Sequence, residues 1–421
     1  MNLTFFFPYK EVSGVPVLFR RMAETLSARH GLRTTVVDYA DGYMAKSVRP
    51  EFGVRVRVFE KGVSFPVDDD TILVMQSLLP STIRPELRIA PSTRILFWTL
   101  HPQNLIQNVI PLRRIRDYQA RSAAFHHAAM NTVLFGVRNR LRRMVSLMAD
   151  KKSIFFMDGS TLRFTEERLG ACIEDPIFMP VPANDALVDG RQRGQKSLLD
   201  KTLSVAWVGR LCDFKIWILM HTIQRIADYA RQKNIRVIFH IIGDGPEARR
   251  LDRLHLSGHS VTLVRPGVIA GEDLNDYLLK HVDILFAMGA SALEGARLGI
   301  PTVLLDASYG PLSKPYRFKW LTESDKYSLG EMISDSHFEA GCDSMAAIIE
   351  DAERRYDEIS QATQAYYAKH HSIDSVCHKF NDRIEQVEFR YRDFEPDILK
   401  RGVVRKSYEF VRDRLAGNGA H

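Results

Sequence analysis

The sequence predicts an α/β protein with two domains, each built on a doubly wound parallel sheet. Short apolar runs of strand length alternate with amphipathic helical patterns along the chain, as in parallel sheets covered by helices. The 421 residues exceed what one ordinary core holds, and a polar stretch in mid-chain supplies a linker. We predict a first domain over 1–183, a linker over 184–202, a second domain over 203–370, and C-terminal helices over 371–421 that return to the first domain.

Strands of the first half each end in a polar or glycine-containing loop. Ligands of doubly wound sheets collect at the carboxyl ends of strands, so these loops are candidate sites. Gly14 lies in the loop after the first strand, and His101 closes the apolar strand RILFWTL. This histidine either lines a ligand cleft or is simply satisfied at a strand end. We predict strands at 3–7, 34–39, 54–59, 71–76, 94–100, 132–135, 153–157 and 177–181, with mostly helix over 104–150.

Two strands of the second half lead into loops suited to phosphate. The strand at 203–208 continues into Gly209, Arg210 and, before a long helix, Lys215. Two cations between a strand end and a helix suit the clamping of a diphosphate. The strand at 237–242 ends in a glycine turn that permits close backbone approach, although such a turn is also common between strand and helix. That turn comprises Gly243, Asp244, Gly245 and Pro246.

The stretch 283–306 reads as strand, small-residue turn, short helix and strand. We predict Ser291 as the N-cap of a helix over 293–298, with Glu294 in its first turn. A small-residue loop entering a helix is an anion site, because free N–H groups and the helix dipole point the same way. Glu294 either accepts hydrogen bonds from sugar hydroxyls or complements the dipole. The residues predicted to line this side of the site are Gly289, Ala290, Ser291 and Leu293.

The net charge of +7 and the pI of about 9.1 favour anionic partners. Basic residues cluster at 113–116, 138–143 and 400–414, which usually means solvated helix faces; contact with an anionic membrane is the second interpretation. No nucleic-acid-binding motif accompanies them, so we expect no nucleic-acid partner. The four cysteines are scattered without metal-ligand spacing, and this usage favours a reducing compartment.

The remaining sequence signals concern location and metals. No run of about 20 apolar residues is present, and the N-terminus reads as a buried strand rather than a signal peptide. We therefore expect a cytoplasmic protein, with peripheral attachment to the inner face of the membrane as the alternative. No Asp-x-Asp motif stands at a strand end, and the aspartates at 68–70 are more typical of a solvated turn, so we expect no metal and no other cofactor.

Taken together, these residues resemble the retaining glycosyltransferases of GT-B fold and family 4 type, in which two Rossmann-like domains face a cleft. The family pattern VGR followed by a lysine appears as VGRLCDFK, and its glycine turn as GDGP. Its signature E-A-M-A-x-G-x-P-V appears as EGARLGIPTV, and EVSGVP resembles its N-terminal glycine loop. The similarity covers most of the chain and is strongest over 203–306.

The resemblance assigns roles to individual residues. Arg210 and Lys215 would bind the diphosphate of a nucleotide-sugar, and Glu294 its ribose. Gly14 would lie near the donor phosphate and His101 near the transferred sugar. The family usually has a second glutamate eight positions before Glu294, but here that position is Phe286, and the glycine after the family lysine is Ile216.

These roles imply a retaining, metal-independent transfer of a sugar to a glycan, lipid-linked or other acceptor bound by the first domain, in cell-surface polysaccharide or glycoconjugate synthesis. The nucleotide-sugar is the expected co-substrate. Two alternatives stay open: a catalytically degenerate protein that binds sugar nucleotides, which the missing glutamate favours, and a nucleotide-sugar epimerase on the same fold.

Overall fold

The computed structural model describes residues 1–106, 131–132, 134–183, 202–254 and 260–400. The chain divides into two compact units: one is formed by 1–181 with the described residues from 376 onward, and the other by 182–375. Each unit contains a mainly parallel sheet and its own apolar core. No helix of the described residues is long and apolar enough to cross a membrane.

The described part of the first unit forms a seven-stranded, all-parallel sheet in the order β3-β2-β1-β5-β7-β8-β9, beside a small two-stranded sheet of β4 and β6. The centre of the large sheet is apolar on both faces because helices cover it on both sides. Its strands are β1 (Asn2–Phe6), β2 (Arg33–Asp38), β3 (Arg55–Val58), β4 (Phe65–Pro66), β5 (Thr71–Gln76), β6 (Leu87–Arg88), β7 (Arg94–Thr99), β8 (Ile154–Phe156) and β9 (Ile177–Phe178).

The second unit contains a six-stranded sheet in the order β12-β11-β10-β13-β14-β15 within its described residues. All neighbouring pairs are parallel except β14 with β15 at one edge. The carboxyl ends of β10, β11, β13 and β14 therefore share one edge of the sheet. The strands are β10 (Thr202–Val208), β11 (Arg236–Ile242), β12 (Val261–Gly267), β13 (Ile284–Ala287), β14 (Thr302–Leu304) and β15 (Lys319–Trp320).

Helices alternate with strands, as the sequence pattern predicts. The helix Ile373–Ile384 begins in the second unit and continues into the first. There the ring of Phe380 packs against those of Phe5, Trp98 and Phe155. The described α-helices are α1 (Gly14–His30), α2 (Tyr43–Ser47), α3 (Phe135–Asp150), α4 (Gly159–Leu169), α5 (Ile216–Lys233), α6 (Gly271–His281), α7 (Ala290–Arg297), α8 (Ser344–His370), α9 (Ile373–Ile384) and α10 (Pro396–Leu399).

Two apolar clusters lie on opposite faces of the second unit's sheet. Alternate strand residues divide between them: Phe286 and Val303 belong to the cluster beneath α5, whereas Leu285 and Leu304 belong to the cluster beneath α6 and α7. All four side chains are fully buried. The cluster that a strand residue joins therefore shows on which face of the sheet its side chain lies.

Two local predictions are wrong. The described residues of the predicted strand 132–135 form a turn, and α3 begins at Phe135. The short helix α7 begins at Ala290 rather than at 293, so its N-cap is Gly289 and not Ser291. The physical reason is the backbone of Gly289, whose φ of +63° is readily adopted by glycine and turns the chain into the helix directly after β13.

Candidate functional site

Four loops meet at the carboxyl edge of the second unit's sheet. The loop after β10 pairs with the loop after β11, because the Gly209 N–H donates to the Ile242 carbonyl (3.0 Å) and the Leu211 N–H donates to the Asp244 carbonyl (3.0 Å). On the other side, the Ser308 N–H of the loop after β14 donates to the Phe214 carbonyl (2.9 Å). Backbone hydrogen bonds thus join the loop after β10 to the loops after β11 and β14.

The glycines of the GDGP turn are required by this packing. A Cβ at Gly243 would overlap the carbonyl oxygen of Gly209, and a Cβ at Gly245 would overlap that of Leu211. Gly243 also has a φ of +134°, which side chains disfavour. The side chains of Asp244 and Pro246 are exposed at the edge, and the Asp244 carboxylate accepts the Gly245 N–H at 2.7 Å.

Lys215 is a partly buried cation at the N-cap of α5. Its Nζ lies 5.8 Å from the centroid of the Phe214 ring and 3.6 Å from the position a Cβ on Gly209 would take. Within the described residues no carboxylate lies at ion-pair distance from it, and burial lowers its pKa below the ordinary lysine value. Arg210, in the same loop, is exposed and also lacks an ion pair in the described ranges. An anion that reached this loop would meet two cations that no described carboxylate neutralises.

The turn into α7 supplies further donors. The Gly289 N–H is already used, since it donates to the Leu329 carbonyl at 2.6 Å. The N–H groups of Ala290 and Ser291, in the first turn of the helix, donate to no described residue outside it. Leu293 is only 1% exposed and packs in the core, so its side chain supports the helix from below.

Glu294 lies in the second turn of α7, not in the first as the sequence suggested. Its Oε2 accepts from the Arg297 Nη2 (3.0 Å), and the same Nη2 donates to the Asn275 Oδ1 of α6 (2.8 Å). Arg297 is 4% exposed, whereas the Glu294 side chain is 28% exposed. Among the described residues no donor reaches Oε1. The carboxylate is therefore held by one oxygen in a partly exposed position, which leaves the other oxygen able to accept a hydrogen bond from a hydroxyl group.

The predicted residues of the first unit lie at the carboxyl edge of its own sheet. Gly14 opens α1; it is exposed, and a Cβ there would have no neighbour within 4 Å. His101 follows β7 and is exposed, and its Nδ1 accepts the Gln103 N–H at 3.1 Å. A neutral imidazole in that arrangement carries its proton on Nε2. Beside it, the Gln76 Nε2 donates to the Asn104 Oδ1 at 3.0 Å.

Two buried aspartates at strand ends are not among the residues predicted from the sequence. Asp38 ends β2, is fully buried and accepts four backbone N–H groups, one of them from Tyr9. Asp306 follows β14, is also fully buried, and accepts the Tyr316 hydroxyl (2.7 Å) and the Glu331 N–H (2.7 Å). Burial and Asp306 together raise the pKa of Tyr316 well above its usual value. The strand-end rule that indicated His101 could have found both aspartates.

The basic clusters and the aspartates at 68–70 fall only partly within the described chain. In the 138–143 cluster, Arg142 and Arg143 are exposed on α3, and Arg143 pairs with Glu395 at 2.7 Å. The 113–116 cluster and, apart from Lys400, the 400–414 cluster lie outside the described residues. Asp68 pairs with Arg57 at 3.1 Å ahead of β5. In the described part of the chain, no three His, Cys, Asp or Glu residues gather as metal ligands would.

Comparison with known proteins adds evidence on the fold. The amino-acid sequence matches neither a protein-family profile nor the sequence of a curated protein. Among solved structures, the chain is similar to a glycosyltransferase from Rickettsia africae ESF-5, with 11% identity over 92% of this chain and 98% of that one and a TM-score of 0.50. Anabaena HepE, solved with UDP and glucose, is 12% identical over 91% and 99% of the two chains (TM-score 0.48).

WaaG, a glycosyltransferase of lipopolysaccharide biosynthesis, is 13% identical over 90% of this chain and 98% of its own (TM-score 0.47). At identities this low, similarity to a solved structure is informative about the fold alone. The inference about the fold rests on the Rickettsia structure, whose TM-score is 0.50. Together with the two parallel sheets, it confirms the predicted fold class: an α/β chain with two Rossmann-like domains of GT-B type.

Proposed function

We propose that the protein is a glycosyltransferase that moves a sugar from a nucleotide-diphosphate-sugar to a glycan, lipid-linked or other acceptor, with retention and without a metal. The observation that carries this proposal is Lys215, a partly buried ammonium group with no ion partner among the described residues. It lies at one sheet edge with the glycine turns, and the N-terminus of α7 follows a neighbouring strand at that edge. This combination favours a diphosphate over a neutral ligand.

The proposed reaction breaks the bond between the anomeric carbon and the donor phosphate oxygen. Negative charge then develops on the leaving diphosphate, where Lys215, Arg210 and the N–H groups of Ala290 and Ser291 would stabilise it. For retention, the acceptor attacks on the face from which the phosphate departs, and its proton passes to the leaving phosphate oxygen. No side-chain base is then required, and His101 would position a hydroxyl through Nε2. Because two cations already meet the charge, we propose a metal-free reaction.

A non-catalytic sugar-nucleotide-binding protein is the second candidate, and Phe286 favours it. This residue occupies the position eight before Glu294, and it is fully buried within β13. No carboxylate therefore approaches a donor sugar from that position. The same absence weakens the third candidate, an epimerase, which needs acid and base groups at the sugar.

One incubation separates the three candidates. The protein is mixed with labelled UDP-, GDP- and ADP-sugars and a membrane extract, and the label is followed into lipid, glycan, free sugar, epimerised nucleotide-sugar and the protein-bound fraction. Incorporation supports transfer, and conversion of the nucleotide-sugar to its epimer supports the epimerase. Saturable binding with neither incorporation nor slow donor hydrolysis would leave the binding protein as the answer.

Replacing Lys215 by Ala tests the proposed clamp directly. We expect transfer to fall by about 10²–10³-fold, the usual loss on removing one preorganised group that stabilises a developing anion. The melting temperature should be unchanged or higher, because the substitution removes a partly buried, unpaired charge. Lys314→Ala, at an exposed lysine of the same unit, is the control. Near-wild-type turnover in Lys215→Ala would refute the clamp.

We further propose, as secondary points, a place in cell-surface polysaccharide or glycoconjugate synthesis and a cytoplasmic location with peripheral membrane contact. The exposed guanidinium groups on α3 support the contact with anionic lipid. Flotation with vesicles of phosphatidylcholine alone and with added phosphatidylglycerol tests it: binding that is equal for both compositions would contradict an electrostatic contact.

A further inference from the structure

The loop after β14 is held in one conformation at the edge of the site. Its Ala307 N–H donates to the Glu331 carbonyl (2.6 Å) and its Ala307 carbonyl accepts the Ile333 N–H (2.9 Å). Its next residue donates to the Phe214 carbonyl, as described above. Asp306, buried beneath the loop, binds the Tyr316 hydroxyl. The loop is therefore a wall beside Lys215 that hydrogen bonds anchor to three neighbouring segments.

This wall presents an aromatic ring to solvent. Tyr309 is 48% exposed, and its ring centroid lies 6.1 Å from that of Phe214 at an interplanar angle of 59°. The Ser308 Oγ donates to the Gly310 carbonyl at 2.7 Å, which closes a tight turn around Tyr309. A single exposed aromatic residue needs no explanation, but this one is fixed and adjoins the ring next to the Lys215 ammonium.

The aromatic pair and Glu294 lie on opposite faces of the sheet. Phe214 and Ala307 pack against the apolar cluster beneath α5, whereas Leu293 of α7 belongs to the cluster beneath α6 and α7. Glu294 is turned toward α6, since its partner Arg297 bonds to Asn275 of that helix. Lys215 lies next to Phe214 at the N-cap of α5, on the first of these faces, whereas α7 packs on the second.

A nucleotide-sugar has its diphosphate in the middle, with the nucleoside at one end and the sugar at the other. If the diphosphate lies beside Lys215 and the ribose reaches Glu294, the side of Lys215 remote from Glu294 is lined by Phe214 and Tyr309 and is open to the sugar. We propose that Phe214 and Tyr309 form the wall against which the sugar ring of the donor packs; this rests on the proposed function. The C–H faces of a pyranose suit an aromatic surface, and such contacts provide affinity where Phe286 replaces a carboxylate.

The test compares two ligands that differ only in the sugar. Thermal stabilisation of the wild-type protein by UDP, GDP and ADP and by their hexose conjugates first selects the nucleotide and conjugate that bind. Dissociation constants for that pair are then measured in the wild type, Tyr309→Ala and Tyr309→Phe. We expect Tyr309→Ala to raise the dissociation constant of the conjugate by about tenfold, and to change that of the nucleoside diphosphate by less than about twofold. Tyr309→Phe should keep wild-type values for both.

Every other outcome counts against the wall. Equal weakening of both ligands, or no change in either, would overturn the sugar assignment while the proposed function stands. If Tyr309→Phe lost as much affinity for the conjugate as Tyr309→Ala, the sugar would contact the tyrosine hydroxyl group and not the ring face. A wild type that binds none of the ligands would overturn the proposed function and this inference with it. Phe135→Ala, at an exposed aromatic residue of the other unit, controls for general effects.

Discussion

At the scale of single residues, the charge of Lys215 links the proposed site to pH. Burial lowers its pKa below 10.5, so the free protein loses this proton at a lower pH than an ordinary lysine does. A bound diphosphate favours the charged form and would raise the pKa again. Affinity for ADP or UDP should therefore decline as pH rises through the lowered pKa. Calorimetric titrations from pH 7 upward measure this decline, and it should vanish in Lys215→Arg, whose guanidinium stays charged. The same decline in both proteins would contradict the assignment.

Arg297 is expected to act through Glu294 rather than on a ligand itself. It donates to the Glu294 carboxylate from a buried position, and its replacement by Met leaves that carboxylate unfixed. A charged hydrogen bond contributes about 1.5–3 kcal/mol, so nucleotide affinity should fall by about 10–100-fold if the bond only orients Glu294.

A double-mutant cycle with Glu294→Gln distinguishes positioning from direct contact. If Arg297 acts through Glu294, the double variant should bind nucleotide about as weakly as the worse single variant. Fully additive losses would mean that Arg297 has an effect of its own. Arg231→Met, at an exposed arginine of α5 paired with Asp228, is the control for loss of a charge.

At the scale of elements, the contact between the loops after β10 and β11 depends on glycine. Gly243→Ala places a Cβ on the Gly209 carbonyl oxygen, and neither backbone can move without breaking a hydrogen bond. We expect a loss of about 1–3 kcal/mol in the free energy of unfolding and weaker nucleotide binding. Urea denaturation and calorimetry measure the two effects. For the free energy of unfolding, Gly14→Ala is the matched control, because a Cβ there would have no neighbour within 4 Å; a loss of stability equal to that of Gly243→Ala would refute the steric argument.

The sequence predicts most of the strands and helices, but not the short strands β4, β6 and β15 and not the contacts between elements. Strand and helix order followed from the alternation of apolar runs, and the rule of strand ends indicated Lys215, the GDGP turn and Gly289 as neighbours. The bond from Arg297 to Asn275 could not be foreseen, because Asn275 comes from a separate helix and only the folded chain brings it close. The bond from Arg297 to Glu294, by contrast, joins residues three apart in one helix and is within reach of sequence spacing. A serine N-cap predicts that α7 starts near residue 293, but Gly289 adopts a positive φ and starts the helix at Ala290.

At the scale of the whole molecule, His221 makes stability depend on acid. Burial and the nearby Arg225 lower its pKa to about 4, and its neutral Nε2 accepts the Tyr316 N–H at 3.2 Å. The unfolded chain protonates near pH 6.5, whereas the folded chain stays neutral to about 4. As the pH falls from 6.5 to about 4, the free energy of unfolding should therefore decrease by about 1.4 kcal/mol per pH unit. Above pH 6.5 the stabilising contribution of the neutral His221 is fully present.

Urea midpoints at several pH values between 7.5 and 4.5 measure this slope against that of His221→Gln, whose amide oxygen still accepts the Tyr316 N–H. The variant should lose stability with acid less steeply than the wild type. His378→Gln, at an exposed histidine, should keep the wild-type slope. If the slopes of all three proteins coincide, the proton uptake belongs to other groups.

At the sheet edge of the second unit, the loops are joined through their main chains, and this has a consequence for how the protein evolves. The bonds from Gly209 to Ile242 and from Leu211 to Asp244 join peptide groups, so they persist whatever side chains occupy the exposed positions beside them. Arg210 and Asp244 point away from the core and can be exchanged with little effect on folding. Selection is therefore free to alter what this edge recognises while the frame that presents it is inherited intact.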